Sequence, residues 1–349
     1  MTDREAYLVL NAVPALSCRA KHRLLEACGG VRGTLRLGRL DLAGLVGEPA
    51  AARVARFLES ADPHTLEEAA RRCGAEVVTL ADTAYPQPLR EIPDPPLALY
   101  VRGRLPEQVA VAVVGTRNPS TDGEYVAHRM AADLAAAGVC VVSGLARGID
   151  ASAHRGALEA GGPTVAVLGC GVDVRYPAGH EKLAEQVAVR GAVVSEYPPA
   201  TPPAKHHFPS RNRIISGLSR AVVVVEATLR SGALITADLA LEQGREVFAV
   251  PGSVLNPRSE GPHRLLREGA SWAESAADVL QALGLAAAQA RPRALGPAEQ
   301  GLLEALREPR YPDELVAAGL GNPAEVAALL VASEVRGLVR RLPDGRYVA

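Results

Sequence analysis

The sequence predicts an α/β protein built on a Rossmann-like, doubly wound, mostly parallel sheet, with a small helical N-terminal domain and a C-terminal winged-helix-like domain. Three observations predict this fold class. Between residues 109 and 283, short valine-rich apolar runs alternate with longer segments. Helical patterns broken by glycine and proline precede this region, and proline-opened amphipathic patterns follow it. Continuous apolar runs are typical of strands covered on both faces, and the segments between them are long enough for crossover helices.

The first domain is predicted at residues 1–75, with helical patterns before Pro14 and over 19–28, 50–60 and 65–73. Residues 11–17 and the basic helix after them are similar to a helix-hairpin-helix, and a SAM-like domain is a second possibility. A hairpin that brings its backbone close to a phosphate usually needs glycines, which this segment lacks. A plain packing domain is therefore an equal alternative.

The second domain is predicted at residues 76–286. Prolines keep residues 76–104 out of helices, and 97–101 is expected to be an edge strand. Parallel strands are then predicted at 109–114, 139–143, 164–168, 192–196, 221–225 and 246–250. Doubly wound sheets bind ligands at the carboxyl ends of their strands, so the loops there are the candidate sites.

The third domain is predicted at residues 287–349, after a linker at 286–293. Helices are expected at 297–307, 312–318 and 323–336, each opened by a proline, where a helix accepts one. Two strands are expected at 338–341 and 346–348. Three helices and a hairpin indicate a winged helix-turn-helix.

Composition narrows the function classes. The chain has 349 residues, 48% of them hydrophobic and 22% charged, which is typical of two or three folded domains. No apolar run reaches the ~18 residues that span a bilayer, and no signal sequence opens the chain, so a cytoplasmic protein without membrane association is expected. The five cysteines have no metal or disulfide spacing, so we expect no metal and no cofactor. Because the formal net charge is −1, a polyanion site must come from local clustering.

Three of the predicted strand-end loops suit anions. Residues 115–120 combine a glycine turn with Arg117 before a helix, where backbone N–H groups and the helix dipole favour phosphate. Residues 143–150 begin with Ser143 and Gly144, a second candidate phosphate turn, and Asp150 is expected to cap the next helix. Residues 227–236 place Ser231 and Gly232 at a helix start with Thr236 one turn later, and Arg230 adds positive charge. Helix capping alone is the alternative explanation.

The segment 202–213 is the most informative of these loops. It carries Lys205, Arg211 and Arg213 without any acidic residue, and Phe208 lies among them. A solvated basic loop is the usual explanation of such a run. However, proteins bind single-stranded nucleic acids with cations that contact phosphates and aromatic rings that stack on bases, and each stacked base contributes roughly 1–3 kcal/mol. The adjacent His206 and His207 cannot easily hold one metal ion, and no carboxylate or thiol cluster supports them.

Together, the segments 115–117, 143–150, 203–217, 231–236 and 251–253 resemble the DprA (DNA-processing protein A) family. The resemblance implies a non-catalytic cytoplasmic protein of natural transformation and recombination. Such proteins bind single-stranded DNA, protect it, help load the RecA recombinase, and form homodimers through the Rossmann-like domain. The residues that the resemblance implies for single-stranded DNA binding are Arg117, Ser143, Gly144, Lys205, Phe208, Arg211, Asn212, Arg213, Ser231, Gly232 and Thr236.

Two other functions are alternatives to single-stranded DNA binding. A nucleotide-binding hydrolase of the lysine-decarboxylase-like phosphoribohydrolase type needs a carboxylate beside its phosphate site and carries P-G-G-x-G-T followed by glutamates. This chain has Ser-Gly-Ala at 231–233 and Pro-Gly-Ser at 251–253, without paired acids nearby. A duplex-DNA regulator would use the helix 323–336, but its two glutamates outnumber its one arginine, whereas a helix that enters a phosphate-lined groove should be basic.

Overall fold

A computed structural model of the chain describes residues 1–14, 16–285, 297–335, 338–342 and 344–348. The chain divides into two compact units, Met1–Ala288 and Gln289–Ala349. The first unit contains the N-terminal helices together with the large sheet. The predicted linker at 286–293 lies outside the described residues.

The first unit begins with helices that pack around a core of their own. Leu10, Leu24, Leu42 and Val54 are fully or almost fully buried in it. The sequence predicted four helices here, and the structure has two more, both short and flanked by glycines. The helices are α1 (Asp3–Ala12), α2 (Cys18–Ala27), α3 (Val31–Thr34), α4 (Arg39–Val46), α5 (Glu48–Ser60) and α6 (Pro63–Arg72).

Two antiparallel strands, β1 (Glu76–Thr79) and β2 (Ala98–Gly103), connect the helices to the main sheet, with the one-turn helix α7 (Gln87–Arg90) between them. The prediction of an edge strand at 97–101 is wrong. The strand lies there, but it is flanked by β1 on one side and by the main sheet on the other. Its register explains the long apolar run, because Leu99, Tyr100 and Val101 are all buried.

The main sheet of the described residues contains nine strands in the order β1-β2-β6-β5-β4-β3-β7-β8-β9, and from β6 to β9 every pairing is parallel. This confirms the predicted Rossmann-like, doubly wound and mostly parallel fold class. The chain leaves β3 toward β4 on one side and reaches β7 on the other, so the topological switch point lies between β3 and β7. The remaining strands are β3 (Ala110–Val114), β4 (Cys140–Ser143), β5 (Thr164–Leu168), β6 (Ala192–Ser195), β7 (Ala221–Val224), β8 (Glu246–Ala249) and β9 (Ser271–Trp272).

Helices cover both faces of this sheet, which is why its strands are apolar throughout. Alternate residues of β3 point to opposite faces: Val111 and Val113 join one core cluster, while Ala112 and Val114 join the other. The helices that connect and cover the strands are α8 (Thr121–Ala136), α9 (Ile149–Glu159), α10 (Glu181–Arg190), α11 (His207–Gly217), α12 (Gly232–Glu242), α13 (Glu260–Arg267) and α14 (Ala276–Ala282).

The second unit has its own small core, in which Leu302, Leu315 and Val326 are fully buried. Its helices are followed by two short antiparallel strands, the elements expected of a winged helix. Their bounds are α15 (Pro297–Ala305), α16 (Pro312–Ala317), α17 (Pro323–Val335), β10 (Arg340–Arg341) and β11 (Tyr347–Val348).

Candidate nucleic-acid interface

Helix α11 organises the carboxyl edge of the sheet, where the predicted loops meet. The prediction of a loop over 202–213 is wrong from His207 onward, because α11 begins there. Pro209 occupies the first turn of the helix, where a missing N–H costs nothing. Along the apolar side of α11, Ile214 and Ile215 pack into the core of the sheet. The side chains of its first two turns contact several strand-end loops.

Arg211 and Asn212 fasten α11 to three of these segments. The Arg211 guanidinium donates to the carbonyl of Gly144, at 2.8 Å, and to that of Val167. Asn212 accepts from Arg211 Nε at 3.2 Å and donates to the carbonyl of Gly232 at 3.1 Å. Both side chains are buried, and burial lowers the pKa of Arg211. In this conformation they hold the backbone of the site rather than face solvent.

Arg213 forms a buried bidentate ion pair with Glu196, with N···O distances of 3.0 and 2.7 Å. Its Nε also donates to the carbonyl of Asp94, at 3.0 Å. Burial alone lowers the pKa of this guanidinium, but the Glu196 charge more than offsets it, so the pKa is raised well above its ordinary value. A fully paired guanidinium of this kind is not free to bind phosphate in this arrangement.

The exposed part of the site lies at the N-terminal end of α11. Phe208 is half-buried, and the Arg117 guanidinium lies over its ring, 5.5 Å from the centroid. Tyr176 packs against Phe208 with a centroid separation of 5.5 Å. Lys205 is exposed in the preceding turn, and neither Lys205 nor Arg117 has an ion-pair partner within the described part of the chain. We call Arg117, Phe208 and the exposed Lys205, three residues before Phe208 in the chain, the Phe208 platform.

The loop after β3 does not offer the open phosphate site predicted for it. Ser120 caps α8 by accepting from Gly123 N at 3.0 Å. The Ser120 N–H, however, donates to the carboxylate of Glu226 at 2.8 Å, and its hydroxyl donates to the same group at 2.6 Å. The anion at this helix N-terminus is thus a side chain of the protein itself.

The loop after β4 is filled in the same way. Asp150 was expected to cap α9, and that prediction is wrong: Gly148 occupies the cap position, and Asp150 lies in the first turn. Its carboxylate instead accepts from Gly144 N at 3.1 Å and Ala146 N at 3.4 Å. Burial raises the pKa of Asp150, and the nearby Arg211 charge opposes that rise.

The start of α12 is the most open of the three glycine turns. Ser231 caps the helix by accepting from Ala233 N at 3.3 Å, Gly232 is exposed, and a Cβ on Gly232 would meet open space. Thr236, by contrast, is buried, and so is Ser143, whose hydroxyl donates to Val113 O at 2.7 Å. The structure therefore brings all the predicted residues to one edge but leaves only some of them accessible.

Sequence reasoning missed two contributors, Arg147 and Glu226. Arg147 is an exposed cation in the loop after β4, and Arg230 is exposed just before α12. The sequence interpretation counted the charge of Arg230 but did not single out Arg147, although its segment was recognised. Glu226 was missed because an acid at the end of an apolar strand gives no sign that its partners lie in another loop.

The described residues contain neither a candidate metal site nor a membrane-spanning helix. No cluster of three or more His, Cys, Asp or Glu side chains there could hold a metal ion. No helix among them has the length and apolar character needed to cross a membrane.

The chain is similar to proteins of one known family. The sequence model of the DNA recombination-mediator protein A family matches residues 76–284. Protein Smf of Escherichia coli K12 is 43% identical over 276 residues, which cover 75% of this chain and 74% of that protein. The X-ray structure of DNA processing protein A from Streptococcus pneumoniae superposes with a TM-score of 0.70 at 38% identity, covering 80% of this chain and 98% of that one.

A second solved structure belongs to a relative studied for its binding of single-stranded DNA. It is DNA processing protein A from Helicobacter pylori, described as giving insights into a single-stranded DNA binding mode. It superposes with a TM-score of 0.54 at 29% identity, covering 60% of this chain and 97% of that chain.

Proposed function

The chain belongs to the DNA recombination-mediator protein A family, also called DprA/Smf, and we propose that it binds single-stranded DNA at the Phe208 platform. One observation carries the proposal. The unpaired Arg117 lies over the half-buried Phe208 ring, and the exposed Lys205 is three residues from that ring in the chain. The single-stranded DNA binding mode described for the Helicobacter pylori relative supports the same class of ligand.

The exposed residues take the direct roles in this proposal. Arg117 and Lys205 bind phosphates, and the flat guanidinium and the Phe208 ring stack bases, since both have faces on which any base can lie. Ser231 and Gly232 add N–H and hydroxyl groups at the start of α12. None of these contacts recognises the edge of a base, so we expect the affinity for DNA to depend little on its sequence.

The buried polar residues take supporting roles. The sequence interpretation expected Ser143, Gly144, Arg211, Asn212, Arg213 and Thr236 to contact DNA directly. We propose instead that Arg211, Asn212 and Arg213 hold α11, and with it Lys205 and Phe208, in place. Their hydrogen bonds to the backbone of neighbouring loops support this division.

The wider role proposed is that of a recombination mediator. We propose that the chain acts in the cytoplasm without catalysis, protects single strands and helps load RecA during natural transformation and recombination, and works as a homodimer. Family membership supports the recombination role. The RecA function is tested by asking whether the protein speeds the assembly of RecA filaments on DNA already covered by single-strand-binding protein.

Phosphoribohydrolase activity is the rival proposal. It would need a carboxylate that faces a bound nucleotide. Asp150 and Glu226 are the buried acids of the loops after β4 and β7, and both accept hydrogen bonds from backbone amides of the site itself. These bonds favour a structural role for both carboxylates and so favour the binding function.

Fluorescence anisotropy of a labelled single-stranded oligonucleotide and its duplex tests the proposal. We expect the wild type to prefer the single strand and the Lys205→Ala/Phe208→Ala double variant to lose most of that affinity. Lys182→Ala, a change of the same charge on α10, serves as the matched control and should bind like the wild type. An unaffected double variant would exclude the Phe208 platform as the DNA site.

A further inference from the structure

The crevice between the ends of β3 and β7 is the topological switch point of the sheet. In doubly wound folds this crevice is where phosphate-bearing ligands bind, commonly at the N-terminus of the helix after the first strand. Helix α8 follows β3 here and has sixteen residues, enough for a substantial dipole. The architecture therefore contains a phosphate position.

The carboxylate of Glu226 already occupies that position. Its oxygens accept from Ser120 N at 2.8 Å, from Ser120 Oγ at 2.6 Å and from Asn256 Nδ2 at 3.0 Å. The side chain is only 7% exposed and has no ion-pair partner among the residues that the structure describes. Its charge is therefore balanced by neutral donors and by the α8 N-terminus, as a bound phosphate would be.

The surrounding backbone is shaped to admit this side chain. Gly123 lies in the first turn of α8, and a Cβ on it would lie 2.5 Å from Glu226 Cδ. Gly115 is confined by other atoms, since its Cβ would lie 2.6 Å from Ile149 Cγ1 and 2.8 Å from the backbone carbonyl oxygen of Glu226. Gly123 thus lets the first turn of α8 approach the carboxylate, and Gly115 lets the β3 loop approach the backbone of Glu226.

We propose that Glu226 is a specificity-determining residue that occupies the phosphate position of the switch-point crevice and excludes free phosphate and mononucleotides from it. Phosphates of a DNA strand are then bound outside the crevice, at the exposed cations of the Phe208 platform. This last clause rests on the proposed function. Asp150 follows the same pattern in the next loop, where it accepts from Gly144 N and Ala146 N.

Rescue by inorganic phosphate tests the inference. Glu226→Ala removes the carboxylate and leaves its three donors without an acceptor, whereas Glu226→Gln keeps the volume filled and is the matched control. Thermal unfolding of the wild type and both variants is followed by circular dichroism in phosphate and in chloride of equal ionic strength. At about a hundredfold excess over its dissociation constant, phosphate should raise the Tm of Glu226→Ala by about 5 °C more than chloride does.

The wild type and Glu226→Gln should show no phosphate-specific rise in Tm. The inference is overturned if Glu226→Ala gains no more from phosphate than the wild type, or if the wild type gains as much as the variant. If Glu226→Ala does not fold in chloride, its refolding in phosphate is measured in place of the Tm. Recovery of folded protein in phosphate supports the inference, and failure to refold in both salts contradicts it. Single-strand binding by the wild type is measured separately, so loss of that binding would refute the proposed function without affecting the rescue result.

Discussion

Replacing Arg213 by alanine separates a structural role for this residue from a DNA-binding one. The substitution removes both hydrogen bonds to Glu196, at 3.0 and 2.7 Å, and leaves that carboxylate only 9% exposed and without its cation. Removing one partner of a buried ion pair costs about 3–5 kcal/mol. For a unit of this size, that corresponds to a fall in Tm of roughly 10 °C. Urea denaturation should show the same loss as a lower midpoint.

The control is Arg213→Met combined with Glu196→Leu, because replacing a buried pair by apolar groups is often nearly neutral. This double variant should unfold at a temperature closer to the wild type than the single variant does. Binding of single-stranded DNA is measured on all three proteins at a temperature where each is folded. If Arg213→Ala is as stable as the wild type but has lost its affinity for DNA, Arg213 is a direct DNA contact and our account of α11 is wrong.

Three further predictions concern pH, salt and backbone geometry. Burial lowers the pKa of His154 to about 3 from the ordinary 6.5. Below pH 6.5 the unfolded chain therefore binds a proton at this residue that the folded chain does not bind. The free energy of unfolding should fall by ~2 kcal/mol between pH 7 and 5. Urea midpoints at the two pH values should differ less in His154→Gln, and an equal difference would refute this assignment. Lys205→Ala should reduce the slope of log affinity against log salt by about 0.7, the contribution of one phosphate on a single strand, and an unchanged slope would mean that Lys205 neutralises none. Gly148→Ala should lower the free energy of unfolding by more than ~2 kcal/mol, because φ is +74° and the new Cβ would lie 2.5 Å from Thr116 O. The control Gly138→Ala, with φ of +82° and open space around it, should lower it by only about 1 kcal/mol. Equal losses of stability in urea denaturation would show that the close contact at Gly148 is unimportant.

The sheet could be predicted from the sequence because its signal is local. The expected strand at 109–114 corresponds to β3 (Ala110–Val114), since burial on both faces requires an unbroken apolar run. The order of the strands was beyond such reasoning, because the apolar pattern of a strand does not identify its neighbours. For the same reason, β2 was taken for an edge strand, although β1 covers it.

The sequence predicted the position of the candidate site better than it predicted the role of each residue in it. The contact between Arg117 and Phe208 joins two loops that the sequence had singled out separately, and Lys205 is exposed three residues before Phe208. Arg211 and Arg213 carry the same charge in the sequence, but their partners come from segments far away in the chain, so their burial could not be inferred. The charge pattern of the sequence thus predicted the segment in which cations cluster, but only the structure shows which of them are exposed and unpaired.

Competition between ligands tests the central claim most directly. A labelled single-stranded oligonucleotide bound to the wild type is challenged with unlabelled single strand, duplex of the same sequence, and deoxynucleoside monophosphate at equal phosphate concentration. We predict displacement by the single strand, weaker displacement by the duplex and none by the monophosphate, with affinity falling steeply as salt rises. Equal displacement by monophosphate and single strand would contradict the account, because it would make the carboxyl edge of the sheet a nucleotide site instead of a DNA-binding surface.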